Sequence, residues 1–436
     1  KLGSVKAKSA AEQATPATCV YETTWMPLPP ATESTRHEGA HLLLSREAVA
    51  GVLPKGWRLS VAKEEAQLLA EASSQRWTTV VLWGSNTEED VELGLRLMQT
   101  AQAERLVFVT GAQNEGDAGL WGLARTFRLE RPDLRVRCIE SVAGAVEKVL
   151  ALATSTEAED ELSVDEAGTV RVPRLRRCVD VGGGEKLSVR PEATYVISGG
   201  LGALGKVVAR LLVERGPTHV LLLPRTAAAP LPPELLALQA KARVESHACD
   251  VSRLESVREA RQWLEAAGWP AVGGVVHAAG VLSDGTMPNQ SGEKLRLAYG
   301  AKVHGARNLR EVFAPPDFLV LFSSTAAAFG SSGQGSYAAA NATLDALARK
   351  WSAAGESVLS VQWGAWSEGG MAARHDAFKR AEASGFGSIS DALGVAVFEE
   401  LLAVGKRGTV CVSPIDWSRL QLEQPLISRF RPKRSE

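Results

Sequence analysis

Lys302, Ser323, Ser324, Tyr337 and Asn341 lie close together in the 436-residue chain. Their types suit one piece of chemistry: a proton handed to a carbonyl oxygen while a hydride reaches the carbon. Tyr337 and Asn341 are four apart, so on a helix they share a face, and Ala338, Ala339 and Ala340 leave room for a cofactor against it. A phenol is a poor acid near neutrality, its reference pKa being about 10. An ammonium within hydrogen-bonding range favours the phenolate by roughly 1–3 units. Lys302, in an expected helical segment upstream, is the candidate ammonium and also suits ribose hydroxyls. Ser324 follows an apolar run expected to be a strand over 318–322, from which its hydroxyl can bond the carbonyl oxygen and stabilise a developing alkoxide. Asn341 is expected to anchor a water that relays the proton. Singly, each residue has a plain structural role as surface lysine, cap, packed tyrosine or helix-satisfying amide. The assignment rests on their joint occurrence with a nucleotide loop.

That loop is Gly199-Gly200-Leu201-Gly202-Ala203-Leu204-Gly205, with a strand expected before it over 194–198 and an amphipathic helix after it over 206–215. Gly200, Gly202 and Gly205 have the GxGxxG spacing, which permits a tight turn, close backbone approach to a pyrophosphate and close helix packing. The helix N-terminus would take the phosphates. Arg225 follows the next expected strand, 219–223, where NAD-preferring sites carry an acid. An arginine suits a 2′-phosphate, so NADPH is expected. A third strand is expected to reach Cys249-Asp250-Val251, with Asp250 meeting the adenine. A fourth, 274–277, is expected to end at Ala278-Ala279-Gly280, small enough for backbone to lie against the cofactor. His277 reads as a packed strand-end histidine rather than a base.

The elements that must position these groups are legible as patterns. Apolar runs at 40–44, 58–61, 78–83, 106–110 and 136–139 alternate with longer amphipathic pieces, the mark of a parallel α/β sheet. Ser45-Arg46-Glu47 stands where a glycine-rich turn would be, so no nucleotide is expected in this half. Residues 154–184 read as charged and loop-like, with a short strand at 170–175 and a flexible joint at Gly182-Gly183-Gly184. A second α/β pattern begins at Thr194. The expected fold class is therefore α/β with two Rossmann-like subdomains: a truncated structural one without cofactor, then a catalytic doubly wound parallel sheet. The length also favours two domains over one core.

Lysine plus arginine (49) balances aspartate plus glutamate (50), leaving no global field to recruit nucleic acid or an anionic membrane. Five scattered cysteines without a CxxC pair argue for reduced thiols in the cytoplasm and against a metal site. No run reaches the roughly 18 apolar residues of a membrane span, and the N-terminus lacks a secretion-signal pattern.

Longer segments carry a resemblance: YVISGGLGALG from Tyr195, VVHAAGVLSDG from Val275, AKVHGARNL from Ala301, LFSSTAAAFGSSGQGSYAAANA from Leu321 and VQWGAWSEGGMA from Val361. GLWGLARTFRLERPDL from Gly119, VPRL from Val172 and IDWSRL from Ile415 fit as well. Over nearly its whole length the chain resembles the ketoreductase domain of a modular polyketide synthase, a two-subdomain relative of the short-chain dehydrogenases. The resemblance implies a leader at 1–19, a structural, truncated Rossmann-like subdomain at 20–188 and a catalytic NADPH-binding subdomain at 189–436. Most single-domain relatives carry Tyr-x-x-x-Lys, absent here. Ketoreductases exchange the lysine and asparagine positions, which gives Lys302 the ammonium role and sets Asn341 after Tyr337. Cofactor contacts are implied for Gly199, Gly200, Leu201, Gly202, Leu204, Gly205, Arg225, Asp250, Val251, Ala278, Ala279, Gly280, Lys302 and Tyr337. The implied reaction is NADPH-dependent reduction of a β-ketoacyl thioester on an acyl carrier protein, alongside other polyketide synthase domains. Two alternatives stay open: α-keto reduction in a peptide synthetase module, and a redox-silent scaffold.

Substrate-side and stereocontrol positions are implied at Leu282, Asp284, Phe329, Gln334, Trp366 and Met371. Leu282-Ser283-Asp284 keeps the final aspartate of the Leu-Asp-Asp motif found in members that form the D-alcohol. Phe329 stands where L-forming members have tryptophan, and Ala339 where epimerising members often have proline. A D-alcohol without epimerisation is therefore expected. The run 367–388, with a helix-like 372–383, reads as a mobile lid or as an ordinary exposed excursion.

Overall fold

The computed structural model describes residues 13–28, 39–49, 51–111, 115–142, 145–216, 219–226, 230–313, 316–368 and 384–430. Its strands are β1 (Val20–Pro27), β2 (His41–Ser45), β3 (Trp57–Val61), β4 (Thr79–Trp83), β5 (Arg105–Gly111), β6 (Arg135–Ser141), β7 (Glu161–Val164) and β8 (Val170–Arg177). The second half contributes β9 (Thr194–Ser198), β10 (His219–Leu223), β11 (Arg243–Ser246), β12 (Val272–His277), β13 (Phe318–Ser324), β14 (Val358–Trp363) and β15 (Gly408–Val412). They form one fifteen-stranded sheet in the order β11-β10-β9-β12-β13-β14-β15-β1-β8-β7-β6-β5-β4-β2-β3.

Two parallel wings make up this sheet. From β11 to β15 every neighbouring pair is parallel, as is every pair from β7 to β3. Strands such as His219–Leu223 and His41–Ser45 are apolar nearly end to end and buried, because helices cover both faces of a parallel sheet. The α/β, Rossmann-like reading holds. The join differs from expectation: β1 runs antiparallel to both β15 and β8, and β8 antiparallel to β7, so the wings are hydrogen-bonded into one sheet. In β1 half-buried and exposed residues alternate after Tyr21, a pattern that a search for continuous apolar runs passes over. Strand β7 falls within the stretch expected to be loop-like. Strand β11 stops at Ser246, so Cys249, Asp250 and Val251 lie in the following loop rather than in the strand.

The wings also meet through helices. Helix Gly119–Glu130 lies against helix Gly335–Ala353, which carries Tyr337 and Asn341. A Cβ at Gly122 would come within 2.3 Å of the Ala338 carbonyl oxygen, so only glycine allows this approach. Close by, Glu161 joins Arg125 (2.7 Å) and Arg128 (2.9 Å) in a largely buried cluster. Burial works against the Glu161 carboxylate, but the two guanidinium groups outweigh it and hold its pKa down to about 2.

Candidate active site

The glycine loop forms at the carboxyl end of β9. Its left-handed residue is Gly199, with φ of +68°, one position before the first glycine of the GxGxxG spacing. Here a Cβ would also strike the backbone of Ala278 and Ala279 at about 3 Å. At Gly205 a Cβ would meet the Gly199 carbonyl oxygen at 2.5 Å, so the loop folds tightly onto helix Ala203–Glu214. That helix begins without a side-chain cap and with no acid in its first turn, leaving its N–H groups available to an anion. Arg225 is exposed just beyond β10 and has no carboxylate partner among the described residues. These features fit a dinucleotide. Asp250 is engaged locally, accepting from the Ser252 backbone N–H (3.1 Å) and hydroxyl (2.7 Å). Val251 is buried, and its carbonyl accepts from Asn308 Nδ2 at 2.8 Å.

Strands β9 and β12 are neighbours whose onward connections leave in different directions, the switch point at which open α/β sheets bind ligands. Ser198 and His277 face each other at their ends. The Ser198 hydroxyl bonds His277 Nδ1 at 2.6 Å, and His277 Nε2 meets the Lys302 carbonyl oxygen at 2.9 Å, so Nε2 carries the proton in that contact. Burial and the Lys302 charge push the imidazole pKa down to about 3, which keeps it neutral. The packed strand-end histidine is thus also a strut between the glycine loop and Lys302. Lys302 itself sits in a wider, π-type turn, Gly300–His304, between helices Gly292–Tyr299 and Gly305–Phe313. Such bulges recur at functional sites because they re-aim a side chain.

The Lys302 side chain is 2% exposed. Its ammonium donates to the Phe322 carbonyl at 2.5 Å and lies 5.8 Å from the Tyr337 ring centroid. Burial lowers its pKa to about 8, with Asp345 opposing that shift. Ser324 caps the short helix Thr325–Phe329 by accepting from Ala326 N–H at 3.2 Å, which leaves its own hydroxyl proton free to donate elsewhere. Tyr337 is half-buried. Its phenol pKa is raised, not lowered, because burial outweighs the Asn341 and Ser324 side chains that act the other way. The ammonium near its ring does not overcome that. Asn341 is fully buried and donates from Nδ2 to the Tyr337 carbonyl at 2.8 Å, while its Oδ1 has no partner among the described residues.

Asp345, one turn beyond Asn341, was not singled out by the sequence reading, although the fourfold spacing from Tyr337 was there to extend. It is buried and accepts from Ser360 Oγ and Gln362 Nε2, both at 2.6 Å. Burial raises its pKa against those two donors.

The residues expected on the substrate side divide into groups. Asp284 is exposed and lies 3.4 Å from Gln334 Nε2, while Leu282, Ala278, Ala279 and Gly280 are partly exposed nearby in the chain. Phe329 is 3% exposed, its ring 5.4 Å from that of Phe386 in a cluster with Tyr21 and Ile427. Trp366 is 4% exposed, packed on Trp363 and close against Gly394, so it is a core anchor in place of an open wall. Met371 and the helix-like 372–383 lie outside the described residues. Among the described residues no group of three or more His, Cys, Asp or Glu could hold a metal ion, and no helix is long and apolar enough to cross a membrane.

Comparison with known proteins finds ketoreductase relatives. Residues 193–368 match the family model of the KR domain. The polyketide synthase GfsA of Streptomyces halstedii is 40% identical over 283 residues, covering 63% of this chain and 4% of that protein. Among solved structures, the PlmKR1 ketoreductase from the first module of phoslactomycin biosynthesis in Streptomyces sp. HK803 superposes with a TM-score of 0.81 at 28% identity. That match covers 96% of this chain and 100% of the other. An A1-type ketoreductase gives 0.82 at 25% identity, covering 95% and 98%.

Proposed function

Because the chain belongs to the ketoreductase domains of modular polyketide synthases, we propose that it reduces the β-keto group of a β-ketoacyl thioester carried by an acyl carrier protein. NADPH is the reductant, favoured by Arg225 and the absence of an acid at that position. The reading is carried by the meeting of Lys302, Ser324, Tyr337 and Asn341 beside a glycine loop. The partners are the carrier and the neighbouring synthase domains. The five free, buried cysteines suit a reducing, cytoplasmic setting.

The nicotinamide, when bound, supplies the hydride. The protein's part is to hold the ketone and move one proton. Ser324, its lone pair engaged by Ala326 N–H, donates its hydroxyl proton to the ketone oxygen and fixes it beside Tyr337. As the carbon accepts hydride, the oxygen takes the Tyr337 phenolic proton and the product is a secondary alcohol. The raised phenol pKa keeps that proton on Tyr337 until the alkoxide, a much stronger base, develops. The Lys302 ammonium then stabilises the phenolate in a poorly solvated site. The unpartnered Asn341 Oδ1 is the acceptor around which a relay water is held to restore the proton. Asp284 and Gln334 border the entry of the acyl chain, and the D-alcohol is favoured without epimerisation.

Purified protein should oxidise NADPH in the presence of a β-keto thioester, with NADH a poor substitute, and chiral chromatography should find mainly the D-alcohol. Faster turnover of an α-keto thioester run in parallel would move the substrate to the peptide-synthetase class. Cofactor binding without turnover of either would mark a silent scaffold.

A further inference from the structure

The 282–290 loop containing Asp284 and the 330–336 turn containing Gln334 share one side chain of the first wing as a common anchor. Glu130 is the last residue of helix Gly119–Glu130. One of its carboxylate oxygens accepts from Met287 N–H at 2.6 Å and the other from Gly333 N–H at 2.7 Å. The segments also meet directly, Gly285 N–H donating to the Gly333 carbonyl at 2.8 Å. Around them Gln290 Nε2 donates to the Gly285 carbonyl at 2.5 Å, and Ser336 Oγ, next to Tyr337, donates to Gln290 Oε1 at 2.6 Å. A second side chain of the same wing, Gln99, donates to the Met287 (2.9 Å) and Gln290 (3.0 Å) carbonyls.

A negative charge at a helix C-terminus faces the negative end of the helix dipole, so Glu130 does not serve its own helix. It makes no ion pair among the described residues. What it offers is two equivalent acceptors on a rigid fork, matched to two N–H groups from different segments. We propose that Glu130 is a positioning residue for specificity. By fixing the separation of the Asp284 and Gln334 segments it sets how the ketone is presented to Tyr337, and hence which alcohol forms. This inference rests on the reductase reading above.

The test is Glu130→Gln, nearly the same shape but with one acceptor replaced by a donor that faces an N–H, together with Glu130→Asp, which keeps both oxygens. With a racemic α-methyl β-keto thioester, the Gln variant should raise KM about tenfold and enlarge the minor diastereomer several-fold. NADPH affinity should stay within about twofold of the parent. The Asp variant should fall between parent and Gln in product ratio. Amide exchange at Met287 and Gly333 should accelerate in the Gln variant whether or not any turnover is measured. An unchanged KM and product ratio would overturn the proposal. So would a parallel loss of melting temperature, cofactor affinity and rate with the product ratio intact, which would make Glu130 merely structural. An inactive parent protein would defeat the reductase reading and the specificity role with it, while the exchange data would still decide whether the clamp exists.

Discussion

The Lys302 ammonium donates to the Phe322 carbonyl at 2.5 Å while lying 5.8 Å from the centre of the Tyr337 ring. Strand β13 thus supplies both the Ser324 hydroxyl and the carbonyl that holds the lysine, so that hydroxyl and the ammonium are referenced to one strand end. Tyr337→Phe removes the transferable proton and little else. It should lower kcat by about 10²–10⁴-fold, the usual worth of a positioned acid, with NADPH binding by fluorescence titration essentially unchanged.

The depressed Lys302 pKa makes a pH prediction. Its ammonium loses its proton near pH 8 in the fold, against an ordinary value of 10.5, so kcat/KM should decline above pH 8 as one group deprotonates. The stability consequence runs the other way. Between pH 8 and 10.5 the unfolded chain binds more protons, so the stability lost to Lys302 is greatest below pH 8 and disappears above 10.5. Lys302→Met should therefore be nearly inactive yet melt a few degrees higher at pH 7, with the gap closing by pH 10.5. Equal melting temperatures at both pH values would contradict the buried-charge account.

Asp345 opposes the downward shift of Lys302. In Asp345→Asn that support goes, and the alkaline decline of kcat/KM should begin at lower pH. A purely structural role for Asp345 would reduce rate or stability without moving the profile.

Glu161 neutralises Arg125 and Arg128 in a largely buried cluster. Glu161→Gln should cost about 3–5 kcal/mol by denaturant titration at pH 7, because it strands two guanidinium groups. A carboxylate held near 2 against an ordinary 4.5 contributes fully above pH 4.5 and loses that contribution as pH falls through 2. Parent and variant should converge in stability as pH falls toward 2.

The sequence carried the wings and the reacting residues well, because both leave periodic or local signatures. Apolar runs such as Val-Leu-Leu-Leu after His219 announce buried parallel strands, and the fourfold spacing of Tyr337 and Asn341 announces a shared helix face. What it carried poorly depends on contacts between distant segments. The half-exposed β1 looks polar from Glu22 to Thr24, and its partners Cys411 and Arg177 lie far along the chain. The raised Tyr337 pKa follows from burial that composition does not report. Glu130 reads as one more surface acid in a charged run until Met287 and Gly333 are folded against it.

Strand β1 gives the sheet a seam with practical force. Cutting the protein between its wings would leave β15 as a bare, unpaired edge, the kind of surface that recruits foreign strands and aggregates. Anyone transplanting the second half into another protein should carry residues 20–27 along with it, since that short strand is what pairs β15.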